Sequence, residues 1–458
     1  TAREPNFYNG VQKERVFENA FLEYGCMKSM TAPLNRKMYF LTDPIEDRAK
    51  DWLDYKINYQ ATFAAQLMYP MVDTYEVMPW PDRIYQGLYR IAGTDQKERI
   101  PRSYSTQMQT MVNTLNDIRT SDKKITGTQG IGVLMANSLM FQRFPNHNGY
   151  DDPQFSSFYG QTLPLLKRGI PVELVHMENT PFKETFKGLH ILVMSYSNMK
   201  PMKPEYHNYL ADWVKKGGIL IYCGEDIDPY QTVLEWWNTD GNEYKAPSEH
   251  LFEKMNLSRN PGEGTYRYGK GTVIVMREDP KHFVLKAGND QKYFETIASA
   301  YQKKIGKEIE TKNSFIVERG PYTIAAVMDE SVSKEPLTLS GLYIDLFDKD
   351  LPVLTSKQIQ PGEQGYLYDL NKVSGKIKAK VLCGASRIYD EKVSKQSYSF
   401  VAKSPINTTN VSRVLLPRKP EKIRVNGKEE QPEWDESSKT LLLSFENDPA
   451  GVNVSIEW

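Results

Sequence analysis

Two acidic residues lie in or directly after short apolar runs within the first 125 residues. Asp43 follows the run KMYFLT, and Glu76 lies within TYEVM, just before Pro79-Trp80-Pro81. Cleavage of a glycosidic bond requires two carboxyl groups, one that protonates the leaving oxygen and one that acts as nucleophile or base. In a barrel of alternating strands and helices, such groups stand at the carboxyl ends of the strands. Glu76 and Asp43 are therefore the candidate catalytic residues.

The residues after Glu76 are candidates for holding a sugar. Trp80 offers a flat ring that could stack on a sugar face, and Asp82 and Arg83 complete the candidate substrate-binding set. Structural roles compete with the catalytic ones. Glu76 could face solvent or pair with Arg83, and Asp43 before Pro44 could cap the next turn.

Helical and strand patterns alternate through residues 1–125. Helical spacing covers 11–30, 51–68 and 104–118, and short strands are predicted at 37–42 and 74–78. Crossover helices of this length predict parallel pairing of the two strands. A closed TIM barrel takes eight strands in about 250 residues, so this segment predicts only a partial (β/α) barrel. Either the other strands lie upstream, or the segment is a non-catalytic remnant.

Residues 126–308 have the pattern of a complete α/β domain. Strands are predicted at 130–137, 171–176, 189–195, 218–223 and 271–276, and helices at 154–168, 204–216 and 291–304. The strands are nearly continuous apolar runs, which is typical of a parallel sheet covered by helices on both faces.

The stretch from Leu189 to Glu225, LHILVMSYSNMKPMKPEYHNYLADWVKKGGILIYCGE, combines strand, polar loop, helix, Gly-Gly and strand. It resembles the amidotransferase-like, flavodoxin-like domain that follows the TIM barrel in family 42 (β-galactosidase-type) bacterial glycoside hydrolases. The order of the neighbouring segments is similar too, because a partial barrel precedes this domain and β-sandwich material follows it. The resemblance implies a non-catalytic domain that assists assembly, including a possible homo-oligomer, within a protein that processes carbohydrate.

Cys223 ends a predicted strand at the place where a class I amidotransferase carries its nucleophile. Such a nucleophile sits on a sharp strand-to-helix turn with small flanking residues, but Ile221 and Glu225 stand at the flanking positions here. His282 also lacks a carboxylate two residues later. Cys223 is therefore predicted to be a buried structural thiol, and an amidase function is the weakest of the hypotheses.

After residue 308 the hydrophobic period changes to two. Strands predicted at 322–328, 337–347, 365–370, 377–383 and 398–402 favour a β-sandwich over residues 309–404. A small terminal β-sandwich module is predicted over 405–458, where Asn426-Gly427 between strands is a strong hairpin signal.

Composition excludes several functional classes. Lys plus Arg and Asp plus Glu both total 58, so no field of one sign favours nucleic acid or an anionic membrane. No apolar run is long enough for a membrane span. The three cysteines lack metal-ligand spacing, and Asp151-Asp152 near His147 is more typical of a solvated turn than of a metal site. We therefore expect no metal and no cofactor.

Two functions remain open from the sequence. The first is a glycoside-hydrolase-like protein, secreted or periplasmic, that acts on an oligo- or polysaccharide through Glu76 and Asp43. The second is a non-catalytic carbohydrate-binding or assembly module that carries a degenerate amidotransferase-like domain.

Overall fold

The computed structural model describes residues 5–34, 36–45, 50–78, 80–139, 155–373, 378–431 and 433–458. Within these residues the α-helices are Val16–Thr31 (α1), Trp52–Leu67 (α2), Pro81–Tyr85 (α3), Arg102–Thr114 (α4), Ser156–Leu166 (α5), Tyr206–Lys215 (α6), Pro247–Lys254 (α7), His282–Leu285 (α8) and Gln291–Ile305 (α9).

The first twelve strands fall before residue 280. They are Pro5–Tyr8 (β1), Val11–Glu14 (β2), Phe40–Thr42 (β3), Tyr75–Val77 (β4), Tyr89–Arg90 (β5), Lys97–Glu98 (β6), Ile131–Met135 (β7), Glu173–His176 (β8), Ile191–Met194 (β9), Ile219–Cys223 (β10), Gly264–Tyr268 (β11) and Gly271–Met276 (β12). The later strands are Ser314–Arg319 (β13), Tyr322–Val327 (β14), Leu337–Asp345 (β15), Val353–Ile359 (β16), Gln364–Asp369 (β17), Lys380–Gly384 (β18), Arg387–Val393 (β19), Ser397–Lys403 (β20), Thr409–Leu415 (β21), Lys422–Val425 (β22), Lys428–Glu430 (β23), Glu433–Asp435 (β24), Thr440–Glu446 (β25) and Val452–Glu457 (β26).

The fold is mixed α/β with strands in several sheets, and the chain divides into two compact units. The α/β unit comprises Thr1–Met38, Thr126–Phe315 and Met328–Glu335. The β-rich unit comprises Tyr39–Ile125, Ile316–Val327 and Pro336–Trp458. The predicted segment 1–125 is thus divided after Met38, which differs from the boundaries expected from the sequence.

A six-stranded sheet with the order β11-β12-β10-β9-β7-β8 forms the centre of the α/β unit. β12, β10, β9, β7 and β8 pair in parallel, and β11 pairs antiparallel with β12 at the edge. All residues of β7, β9 and β10 are buried, as expected for strands covered on both faces. The order of the parallel strands is that of flavodoxin-like sheets, and it reverses between β7 and β9.

The close approach between α6 and the start of β12 requires a glycine. A Cβ added to Gly271 would lie 1.9 Å from the Val214 carbonyl oxygen and 2.4 Å from that of Gly218. Because both contacts are backbone, Gly271→Ala is expected to destabilise the α/β unit by about 1–3 kcal/mol, measured by urea unfolding. Gly262→Ala is the matched control, since a Cβ there meets no atom within 4 Å. Equal stability of the two variants would contradict this explanation.

The amino-terminal segment differs from the predicted helix over 11–30. β1 and β2 form an antiparallel hairpin, and α1 begins only at Val16. Asn9 and Gly10 have φ values of 48° and 76°, which are the left-handed conformations of a tight hairpin turn. The Asn-Gly pair therefore carried a hairpin signal that the helical spacing obscured.

The β-rich unit begins with the two strands predicted near the candidate carboxylates. β3 and β4 pair in parallel with Phe40 opposite Tyr75 and Thr42 opposite Val77, which confirms the predicted parallel pairing. α2 connects them, and its first turn is capped by the Asp51 side chain, which accepts a hydrogen bond from the Asp54 amide at 2.9 Å. In the described residues this sheet has two strands.

The rest of the β-rich unit is antiparallel. β14, β17, β15 and β16 form one sheet together with β13, in the order β13-β14-β17-β15-β16. Two further sheets, β18-β21-β25-β24 and β19-β20-β26-β22-β23, share one apolar core that includes Phe400, Val414, Leu441 and Ile456. Strands from both sides of residue 404 contribute to this core. The structure therefore differs from the prediction of separate sandwiches over 309–404 and 405–458.

Candidate functional site

Glu76 and Asp43 lie on neighbouring parallel strands. Glu76 is opposite Leu41, and Asp43 directly follows β3, two residues further toward the carboxyl end. The Glu76 side chain is exposed, and no described residue forms a hydrogen bond or ion pair with it. Asp43 is half-buried, and its Oδ1 accepts a hydrogen bond from the Ile45 amide at 3.2 Å. The capping role considered for Asp43 is thus present, and Glu76 does not pair with Arg83.

Trp80 and Asp82 flank the start of α3. Trp80 is 75% exposed and precedes the first residue of the helix. Asp82 and Tyr85 line a cavity of about 730 Å³ with Arg99, Arg102 and residues of the segment 405–408. We call this the α3 cavity. Arg83 points elsewhere, because its guanidinium donates to the Ile45 carbonyl at 3.3 Å.

The α3 cavity carries charges of both signs. Arg102 donates to both oxygens of Glu446, at 2.8 and 2.9 Å, so that guanidinium is already engaged. Arg99 is exposed and makes no ion pair with any described residue. Burial raises the pKa of Tyr85, which keeps its phenol protonated and able to donate. The cavity thus offers a carboxylate acceptor together with guanidinium and phenol donors.

Cys223 lacks the environment of a nucleophile. Its side chain is fully buried at the end of β10, and its Sγ lies 4.0 Å from the Met276 sulfur. Burial, with smaller effects from Glu278 and Asp279, raises the pKa of the thiol, whereas catalytic cysteines need a lowered one. A loop rather than an α-helix follows at Gly224. These observations agree with the structural role predicted for Cys223.

A buried polar network at the carboxyl end of the parallel sheet was not found from the sequence. Lys200 Nζ donates to Asp228 at 2.7 Å and to the Tyr196 carbonyl at 2.5 Å, and Gln231 also donates to Asp228 at 2.9 Å. Desolvation lowers the pKa of Lys200, while Asp228 opposes this shift. The pair joins the loops after β9 and β10. The sequence signal for this pair was a charged residue shortly after each of two apolar predicted strands. Lys200 lies in YSNMK, which follows LHILVMS, and Asp228 lies in GEDID, which follows GILIYC.

Two histidines extend this network. Tyr196 Oη lies 2.6 Å from His207 Nε2, and His207 Nδ1 lies 2.7 Å from His250 Nδ1. Desolvation, and then the neighbouring His250 and Lys254, hold the pKa of His207 well below its usual value. Desolvation also lowers the pKa of His250. Because Tyr196 has no second acceptor among the described residues, we assign it as the donor to Nε2, so that His207 donates through Nδ1 to His250.

The sequence analysis also predicted that the chain has no metal site and no membrane-spanning segment. In the parts of the chain that the structure describes, no group of three or more His, Cys, Asp or Glu side chains could hold a metal ion. His147, Asp151 and Asp152 lie outside the described residues. No described helix is both long enough and apolar enough to cross a bilayer.

The comparisons with known proteins found similar proteins among solved structures only. No family model matches the sequence, and no curated protein matches it. The β-galactosidase from Bacillus circulans sp. alkalophilus is similar with 11% identity and a TM-score of 0.45, over 77% of this chain and 58% of that one. A β-galactosidase from the haloarchaeon Halorubrum lacusprofundi gives 12% identity and 0.44, over 77% and 56%. A rhamnosidase from Novosphingobium sp. PP1Y gives 10% and 0.34, over 88% and 41%.

The neighbours include Gan42B of G. stearothermophilus, a GH42 β-galactosidase, at 11% identity and a TM-score of 0.42, with 77% of this chain and 57% of that one covered. The similarity to family 42 glycoside hydrolases noted in the sequence is therefore also found among solved structures. The chain spans 58% of the length of the B. circulans enzyme.

Proposed function

We propose that this chain binds oligosaccharide at the α3 cavity, with Trp80 as the stacking ring, and that it does not hydrolyse glycosidic bonds through Glu76 by itself. The observation that carries the proposal is the exposure of Trp80 at the start of α3, whose next two residues, Pro81 and Asp82, line the α3 cavity. An indole combines a flat apolar face with one hydrogen-bond donor. A sugar ring likewise has an apolar face and a polar rim.

The contents of the α3 cavity support a ligand rich in hydroxyl groups. Asp82 accepts hydrogen bonds, and Arg99 and Tyr85 donate them, so that a sugar hydroxyl finds partners for both its hydrogen and its lone pairs. The volume of about 730 Å³ is within the range of small-molecule sites. Arg102 is held by Glu446, which leaves Arg99 as the free cation and Asp82 as the free anion of the described lining.

Hydrolysis remains the second candidate because of one observation. β3 and β4 are parallel neighbours, which brings Asp43 and Glu76 to the same end of the sheet. Against it, a general acid requires a raised pKa and therefore a desolvated setting, whereas Glu76 is exposed. Glu76 itself is not among the residues that line the α3 cavity.

Trp80→Ala is expected to weaken oligosaccharide binding at least tenfold, or about 1.4 kcal/mol, because the stacking surface is removed. Asp82→Asn should weaken binding less, since the amide keeps one acceptor. Calorimetry or affinity electrophoresis against a panel of neutral oligosaccharides measures both effects. Glu76→Gln is the control, and it should leave the affinity unchanged.

Two outcomes would count against this proposal. One is undiminished binding by Trp80→Ala together with Asp82→Asn. The other is glycan cleavage by the intact chain that Glu76→Gln abolishes, which would favour the hydrolase. We also propose that the protein acts outside the cytoplasm, secreted or periplasmic, where polymeric glycans are available; cell fractionation tests this. A homo-oligomer through the α/β unit is a further proposal, which light scattering tests.

A further inference from the structure

The sheet β19-β20-β26-β22-β23 has one face in the core and one face outside. Along β20 and β26 the core takes Tyr398, Phe400, Val454 and Ile456. Because side chains alternate along a strand, the residues between them project from the opposite face. This outer face carries Ser399, Val401, Asn453 and Ser455 from the two strands.

Four polar residues form one row across this outer face. Lys392 is opposite Ser399, Ser399 is opposite Ser455, and Ser455 is opposite Arg424. Three interstrand steps of about 4.8 Å make the row about 14 Å long. Two short serines therefore lie between two long cationic side chains, which produces a depression across the sheet. We call it the sheet trough, and it coincides with a cavity of about 520 Å³.

A β-bulge adds acceptors at one end of the sheet trough. Between Tyr389 and Lys392 the pairing of β19 shifts, so that Asp390 and Glu391 are both opposite Phe400. Asp390 has a φ of 51°, a left-handed conformation that is uncommon outside glycine. Bulges of this kind redirect side chains and are frequent beside binding sites. Asp390 and Glu391 both line the cavity.

The chemistry of the sheet trough favours an uncharged, hydroxyl-rich ligand. Two cations, Lys392 and Arg424, are balanced by the two carboxylates of the bulge, so the lining has no net charge. The side chains of Ser399, Ser455 and Asn453 form no hydrogen bond with any described residue, and only the backbone amide of Asn453 donates to Asn426 Oδ1. Arg424 pairs with Glu457 at 2.8 Å. Glu391 also accepts from the Tyr398 hydroxyl, so the donors and acceptors open to a ligand are the side chains of Ser399, Ser455, Asn453, Lys392 and Asp390.

We propose that the sheet trough is a second carbohydrate-binding site, which takes a neutral oligosaccharide of several rings laid across β19, β20, β26 and β22. The inference extends the proposed function to a separate site, and it does not depend on Trp80 or the α3 cavity. A chain with two such sites binds a polymeric glycan more tightly than either site does alone, provided that the polymer can reach both.

The test uses the full chain carrying Trp80→Ala, so that binding at the sheet trough is measured alone. Neutral tetrasaccharides with different linkages are titrated by calorimetry. Ser455→Tyr, which fills the trough, is expected to weaken the remaining binding at least tenfold, and Arg424→Ala should weaken it severalfold. Lys422→Ala is the matched control, because it removes a cation from the same face of β22 outside the cavity.

The outcomes separate the two proposals. Residual binding in Trp80→Ala that Ser455→Tyr removes supports the sheet trough. Complete loss of binding in Trp80→Ala overturns the sheet trough and leaves the α3 cavity supported, whereas full binding in Trp80→Ala that is lost in Ser455→Tyr overturns the α3 cavity alone. Binding of uronate-bearing oligosaccharides in preference to neutral ones would overturn the ligand class. A thermal midpoint equal to that of the parent chain shows that each variant is folded.

Discussion

Lys200→Met is expected to lower the free energy of unfolding of the α/β unit by about 3–5 kcal/mol. The Lys200 and Asp228 side chains are only 7% and 1% exposed, with Nζ 2.7 Å from the carboxylate. Methionine fills the volume of the lysine stem but cannot neutralise Asp228. The carboxylate then remains buried with hydrogen bonds from Gln231 and the Tyr230 amide, which compensate only part of the lost charge interaction.

Urea unfolding monitored by tryptophan fluorescence measures this effect, since Trp236 and Trp237 lie in the α/β unit. Lys292→Met is the matched control, because Lys292 pairs with Glu263 on the surface, where the side chains are 62% and 47% exposed. Exposed ion pairs contribute about 0–1 kcal/mol. Lys200→Met with Asp228→Leu should recover much of the stability, because a buried pair can be replaced by apolar residues of similar volume. A cost below 1 kcal/mol for Lys200→Met alone would show that water reaches Asp228.

Acidification from pH 7 to pH 5 is expected to destabilise the α/β unit through His207. Its pKa is well below the usual value when folded, so below pH 6.5 the unfolded chain binds a proton that the folded chain does not. The resulting stability is fully present above about pH 6.5 and falls by about 1.4 kcal/mol per pH unit below it. The loss reaches about 2 kcal/mol at pH 5 if His207 stays neutral, and His250 acts in the same direction.

Geometry explains why His207 resists protonation. A proton added to His207 enters at Nε2, so that Nε2 must donate to the Tyr196 hydroxyl, which loses its acceptor, while the Nδ1–H bond to His250 keeps its direction. A second proton would place two N–H groups face to face over 2.7 Å. Beside desolvation, the charged neighbour Lys254 disfavours a cation at His207 and at His250, and Glu253 opposes this only in part at His250.

Unfolding at a series of pH values, for the parent chain and for His207→Phe, tests this prediction. The variant has lower stability at neutral pH, because Tyr196 loses its acceptor, but its stability should depend less on pH between 6.5 and 5. Lys292→Met again serves as the control, since it removes a surface ion pair with Glu263 and leaves both histidines in place. An NMR titration in which the His207 ring protonates near pH 6.5 in the folded chain would contradict the prediction.

The local sequence pattern was sufficient to predict most helices and strands, and the wrong or missing predictions have physical causes. The strand Gly271–Met276 was predicted with its observed bounds, whereas its antiparallel partner Gly264–Tyr268 was not predicted as a strand. The strand Arg387–Val393 was missed, because its outer face is polar and its bulge breaks the alternation. A strand with one solvated face and an interrupted period carries little hydrophobic signal.

The candidate sites show the same contrast. Trp80 and Asp82 were chosen because a ring and a carboxylate follow a short strand, and the structure places Asp82 in a cavity whose other wall lies more than 300 residues later, at Thr408. Asp43 and Glu76 were chosen on the same basis, but Glu76 is exposed. Whether a side chain at a strand end meets a cavity or bulk water depends on which distant segment covers it.

By itself the sequence determined the parallel sheet, the antiparallel carboxyl-terminal strands and the buried state of Cys223. These features depend on the spacing of apolar residues and on turn-forming residues, and both act on segments of only a few positions. Only the tertiary structure decided that Lys200 meets Asp228, that His207 meets His250 and that Lys392, Ser399, Ser455 and Arg424 fall into one row. Each of these contacts is fixed by strand register and by loops that converge from distant parts of the chain. Register depends on the packing of the whole sheet, so no local pattern encodes which polar residues become neighbours.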